Sequence, residues 1–172
     1  MANKRPFILL DANILYSPRI RELFFIFCTY ADATPFWSVE IVKEWQNNYL
    51  VDHQKSKKSL ENAYKRMKDD FPKSEITLKK SEIEAVDFKI DLDDRHVIAA
   101  ANKLKVNYVI TSDKHLKNKK IDGIECISAK KFFEQSGNKV YLEEAIKKHV
   151  SILKYPKVTV EEYKDFLKKN LI

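Results

Sequence analysis

The sequence predicts an α/β fold built on a mainly parallel sheet, and three features point there. Apolar runs at Phe7–Leu10 and Tyr108–Ile110 have the length and composition of strands buried on both faces, and Ile124–Ile127 reads as a last short strand. Amphipathic stretches with helical spacing alternate with them, the pattern of parallel strands joined by helices. The composition, 44% apolar and 12% aromatic with only 2 Gly and 5 Pro in 172 residues, suits a packed core and argues against a disordered chain.

Taken in order, Phe7–Leu10 is the first strand. Residues 18–32 read as a helix with Ile20, Leu23, Phe24 and Phe27 on one face. Pro35-Phe36-Trp37 forms a short second strand, and Ser38 caps a helix carrying Ile41, Val42, Trp45 and Tyr49. Residues 53–68 continue as solvated, basic helix, and Pro72 closes that region. Asp93 or Asp94 then caps a helix striped with Val97, Ile98, Ala101 and Leu104. Tyr108–Ile110 and Ile124–Ile127 supply two more strands, and a helix starts near Ser128. Gly137 marks the one boundary: residues 1–137 form the α/β domain, and residues 138–172 a C-terminal α-helical extension in two segments, 139–153 and 159–171.

The chain carries 32 basic and 25 acidic residues, a net charge of +7 that fits a polyanionic partner. Cys28 and Cys126 show no metal-ligand spacing and no disulfide framework, which suits a reducing compartment. The apolar run before Asp11 is too short for a signal peptide or a membrane span. A cytoplasmic protein without membrane association is therefore expected.

The informative residues are acidic. Asp11 and Asp113 each lie at or just past the carboxyl end of a strand, and ligands of open parallel sheets bind outside the carboxyl ends of the strands. Either could simply cap a following helix. Glu44 lies at the edge of an apolar helix face. Asp91, Asp93 and Asp94 crowd the start of the next helix, although one cap needs one carboxylate. Gathered together, such groups repel unless a cation offsets the repulsion. Mg²⁺ or Mn²⁺ has the oxygen preference to do so, and can serve an in-line displacement at a phosphodiester.

Four segments carry a resemblance: Leu9-Leu-Asp-Ala-Asn-Ile14, Trp37-Ser-Val-Glu-Ile-Val-Lys-Glu44, residues 91–101 (Asp-Leu-Asp-Asp-Arg-His-Val-Ile-Ala-Ala-Ala) and Val109-Ile-Thr-Ser-Asp113. In order and spacing they are similar to the four motifs of PIN-domain nucleases, over about residues 5 to 137. The Asp-Asp-Arg-His-Val motif and helical C-terminus resemble the VapC-like toxins of type II toxin–antitoxin pairs. The resemblance implies a three-layer α/β/α domain, usually dimeric, with Mg²⁺ or Mn²⁺ at the strand C-termini. It makes Asp11, Glu44, Asp94 and Asp113 the catalytic acids, with Asp11, Asp94 and Asp113 as metal ligands and Asp93 a one-residue alternative. Asn13 and Thr111 would orient them. Some relatives read Thr-Asn-x-x-Asp in the last motif, where this chain has Ser112 and His115.

The implied activity is metal-dependent endoribonucleolytic cleavage, with an RNA substrate, a cognate antitoxin and a homodimer as partners. Lys114, Lys117, Lys119 and Lys120 follow Asp113 and are candidates for RNA phosphates. Lys55, Lys57, Lys58, Lys65, Arg66 and Lys68 read more simply as a solvated helix face. His96 suggests a structural hydrogen bond, and His115 a substrate contact. Two other classes remain open, a housekeeping RNA-processing nuclease and a non-catalytic RNA-binding or interaction protein. An aspartyl phosphatase would want a second Asp where Asn13 stands.

Overall fold

The computed structural model describes residues 6–53, 57–87, 89–135 and 137–171. The elements run β1 (Phe7–Leu10), α1 (Ala12–Tyr16), α2 (Pro18–Ala31), β2 (Thr34–Ser38), α3 (Val39–Asp52), α4 (Lys57–Asp70), β3 (Glu75–Ile76) and α5 (Lys80–Glu84). A 3₁₀ turn at Leu92–Asp94 leads into α6 (Arg95–Leu104). Then follow β4 (Tyr108–Ile110), β5 (Lys120–Ile121), β6 (Ile124–Ile127), α7 (Ala129–Glu134), α8 (Lys139–Ile152) and α9 (Val160–Asn170).

The protein is α/β, with a sheet ordered β3-β2-β1-β4-β6-β5. All pairings are parallel except β5 with β6. Ile8, Leu9 and Leu10 point alternately to opposite faces and none is exposed, so helices cover both faces and the architecture is three-layered. Successive strands add on one side as far as β3. The chain then crosses to β4 on the other side of β1. The order therefore reverses between β1 and β4, and the crevice that such a reversal opens lies beyond their carboxyl ends.

One hydrophobic cluster runs through the molecule. Phe24 and Phe27 of α2 pack on Phe132 and Phe133 of α7, with centroids 4.6 to 5.9 Å apart. The residues after Gly137 belong to that cluster: Ala145 and Ile146 of α8 and Tyr163 and Leu167 of α9 are buried in it. A capping box starts α9, with Glu162 N–H donating to Thr159 Oγ1 and Thr159 N–H to a Glu162 carboxylate oxygen. The expected continuous helix across 53–68 is instead two helices. α3 ends at Asp52 and α4 begins at Lys57, burying Leu60, Ala63 and Met67. Among the described residues no helix is long and apolar enough to cross a membrane.

His149 of α8 supplies a test of this packing. It is buried, its Nδ1 lies 2.7 Å from the Tyr163 hydroxyl, and burial, helped by Arg19, pushes its pKa down to about 4. In the unfolded chain the imidazole takes a proton near its ordinary value of about 6.5, before the folded protein does. Its contribution to stability is therefore present above that value and is lost as pH falls towards 4. Urea unfolding should show a loss of about 2 kcal/mol from this group between about pH 7 and about pH 5. The His149→Gln variant should lack that part of the slope. An identical slope in wild type and variant would contradict the assignment.

Candidate functional site: an acidic crevice at the sheet's carboxyl edge

Asp11 follows β1 immediately, and its N–H bonds the Ile110 carbonyl, so it extends the sheet into the crevice. The side chain is buried, and each of its oxygens is held. Oδ1 accepts from Ala12 N–H at 2.7 Å, while Oδ2 accepts from Asn13 Nδ2 at 2.7 Å and from the Thr111 hydroxyl at 2.6 Å. A carboxylate offers about four acceptor directions, so one stays open. Burial, above all, raises its pKa to about 6, and the nearby Glu44 charge adds to this against the pull of the hydrogen bonds.

Thr111, fully buried just past β4, ties the two strand ends together. Its oxygen donates to Asp11 and accepts from Asn13 Nδ2 at 3.1 Å and from Asp113 N–H at 2.9 Å. Asn13 completes the frame by accepting from Ser112 N–H at 3.0 Å. Asn13 and Thr111, marked as orienting residues in the sequence, thus hold Asp11 and the Asp113 backbone in one network. Asp113 in turn accepts from His115 N–H at 2.6 Å.

Ser38 ends β2 and caps α3, its Oγ accepting from Ile41 N–H at 3.2 Å, and this points α3 away from the same sheet edge. Glu44 stands one and a half turns along it. Its Oε2 lies 3.1 Å from His96 Nε2, close enough for an ion pair but off the hydrogen-bond direction, so among the described residues that nitrogen has no hydrogen-bond partner. Burial works against the charged form of His96, but Glu44, Asp11 and the Asp93 backbone outweigh it and raise its pKa overall. Sequence reasoning gave His96 a structural bond and missed its approach to Glu44. No periodicity signals that contact, because it joins two helices far apart in the chain.

The acidic triplet is not spent on capping. Neither Asp91 before the 3₁₀ turn nor Asp94 before α6 makes a side-chain cap hydrogen bond. Asp94 is the member that faces the crevice. Burial raises its pKa, and the charges of Asp113, Asp91 and Glu44 raise it further. Asp93 has an exposed side chain, and Asp91 lies 3.9 Å from His115 Nδ1. Glu44 therefore lies within electrostatic reach of both Asp11 and Asp94, and Asp94 within reach of Asp113.

Among the described residues, no three His, Cys, Asp or Glu side chains are drawn together tightly enough to enclose a metal ion. The donor set nevertheless fits a hard cation. Mg²⁺ keeps several waters and commonly takes one or two carboxylates rather than a closed protein cage. Two of the carboxyls also carry raised pKa values, the electrostatic cost that a divalent cation would offset.

Of the lysines following Asp113, Lys114, Lys119 and Lys120 are exposed and Lys117 is half-buried, in the turn anchored by buried Leu116. The basic residues of α4 are largely engaged locally: Lys65 with Asp69, Arg66 with Glu22 and Lys68 with Glu75. Lys55 lies outside the described residues.

Fold and crevice together define an α/β protein with an acidic site at the switch point of a parallel sheet. No protein-family model matches the chain, and no curated protein matches it.

Proposed function

We propose that the chain is a Mg²⁺- or Mn²⁺-dependent endoribonuclease of the PIN type, acting as the toxin of a toxin–antitoxin pair. The observation that carries this reading is the proximity of Glu44 to both Asp11 and Asp94, and of Asp94 to Asp113, acids of four separate stretches near the switch point between β1 and β4. The four sequence motifs and the basic surplus support it as well.

When bound, a divalent cation would lower the pKa of water and stabilise charge on the phosphodiester oxygens. Asp11, Asp94 and Asp113 would hold it, with Asp93 as the neighbouring alternative. Thr111 and Asn13 fix the direction of Asp11 through its Oδ2 and leave one acceptor site of the carboxylate unused. Glu44 can accept the proton of an attacking water, with His96 behind it as a counter-charge. Attack at phosphorus breaks the P–O3′ bond and leaves a 5′-phosphate and a 3′-hydroxyl. Lys114, Lys117, Lys119 and Lys120 would neutralise flanking phosphates, which makes binding salt-dependent.

Incubating total RNA with Mn²⁺ should give cleavage that EDTA abolishes, and Mn²⁺ should raise the melting temperature saturably. Expression should arrest growth, and a co-expressed antitoxin that occludes the crevice of the dimer should relieve the arrest. Cleavage without growth arrest would move the protein to RNA processing. Metal-independent RNA binding without cleavage would exclude the nuclease.

A further inference from the structure

A second polar cavity lies away from the acidic crevice, between α2, α3 and α4. It measures about 110 Å³, and its lining includes Arg21, Trp45, Tyr49, Ser59 and Arg66. That is room for a few waters or for one tetrahedral oxyanion. Its walls are rich in donors that the protein leaves unused. Arg21 is 3% exposed and Trp45 is fully buried, yet among the described residues neither Arg21 Nε nor Trp45 Nε1 has a hydrogen-bond partner.

Unpaired buried donors are rare in folded proteins, because each gives up its hydrogen bond to water with nothing in return. Here two belong to residues that line one small space, and one of them is a guanidinium nitrogen. The Arg21 guanidinium sits over the Trp45 ring at 5.0 Å and gives one N–H to the Leu15 carbonyl at 2.7 Å. Its remaining charge is poorly met. Glu22 approaches Arg21 at 3.7 Å and also serves Arg66 at 3.4 Å, so two guanidiniums share one carboxylate. The cavity is thus positively charged. Ser59 and Arg66 also line a wider, shallow trough on α4 with Lys58 and Lys65, which offers an approach from solvent.

We propose that this cavity is an oxyanion site that takes a phosphoryl group, with Arg21 Nε, Trp45 Nε1, the Ser59 hydroxyl and Arg66 as its donors. Charge-assisted bonds from two arginines would satisfy the orphaned donors and neutralise the excess charge together. The same chemistry is offered by inorganic phosphate and by a phosphomonoester such as a nucleotide 5′-phosphate.

The test is a thermal-shift and calorimetric titration of the full chain with inorganic phosphate, matched in ionic strength with sodium chloride. Saturable stabilisation by phosphate and not by chloride is expected. Arg66→Met, at an exposed position, and Trp45→Phe, which keeps an aromatic ring and removes the donor, should each weaken binding about tenfold. Lys168→Met, on α9, should bind as wild type does. Adenosine 5′-monophosphate in a parallel arm separates the sources: equal binding means that the pocket admits an ester, and binding of phosphate alone means that it closes around the free ion. Absence of saturable binding, or equal affinity in wild type, Arg66→Met and Trp45→Phe, overturns the proposal.

Discussion

Replacing Asp11 by Asn is expected to leave the protein folded while lowering metal-dependent RNA cleavage by about a hundredfold or more. The side chains have nearly the same shape, and Asn can still accept from Ala12 N–H through its oxygen. What changes is charge. Burial and the Glu44 carboxylate make ionisation of Asp11 unfavourable, with its pKa pushed up to about 6, so the metal-free protein bears a cost that the amide does not. Against this relief stands a rearranged hydrogen bond, because Asn13 Nδ2 and the Thr111 hydroxyl both donate to the oxygen that the amide nitrogen would replace. The two effects oppose each other at about 1–3 kcal/mol each, so the metal-free melting temperature should move little. The Mn²⁺-induced rise should be lost. Calorimetry with and without Mn²⁺, beside RNA degradation with and without EDTA, reads both effects. Undiminished EDTA-sensitive cleavage in the variant would end the assignment of Asp11.

That prediction depends on features of differing legibility. The strands at Phe7–Leu10 and Tyr108–Ile110 could be read directly, since a strand buried on both faces is apolar along its length, and Ile124–Ile127 could be read in spite of Glu125 because apolar residues surround it. The helices α2, α3, α6, α8 and α9 announced themselves by stripes and caps. The short elements did not. Two-residue strands β3 and β5 exist only because a neighbour offers a free edge, and the five-residue helices α1 and α5 have too few turns to show a period. Asp11 and Asp113 could be paired from their positions after strands. The network through Thr111 and the approach of His96 to Glu44 could not, because both depend on how distant elements dock. The Asp91, Asp93 and Asp94 cluster shows the limit best. Its composition suits a cap, but Asp91 and Asp94 make none, and only the tertiary arrangement turns Asp94 towards Asp113 and Glu44.

Removing the chain after Gly137 is expected to unfold the protein rather than trim it. The two final helices look separable in sequence, because they follow a glycine and alternate polar and apolar residues like any exposed bundle. Their apolar faces nevertheless close the core. Ala145, Ile146, Tyr163 and Leu167 are each at most 4% exposed, and α8 runs against α2, the helix that carries Phe24 and Phe27. Fully burying one large apolar side chain contributes about 1.5–3 kcal/mol, and three such side chains are of the order of an entire domain's net stability of about 5–15 kcal/mol. Truncation would also open Phe133 and the flank of α2 to water, a contiguous apolar surface that favours aggregation. A gentler variant gives the same information without the risk of insolubility. Ile146→Ala, deep in the α8 contact, should cost about 2–5 kcal/mol in urea unfolding, whereas Val140→Ala on the exposed side of α8 should stay within about 0.5 kcal/mol of wild type. A soluble, cooperatively folding fragment of residues 1–137, or an Ile146→Ala variant as stable as wild type, would show that the acidic crevice stands on a core that does not need its C-terminal helices.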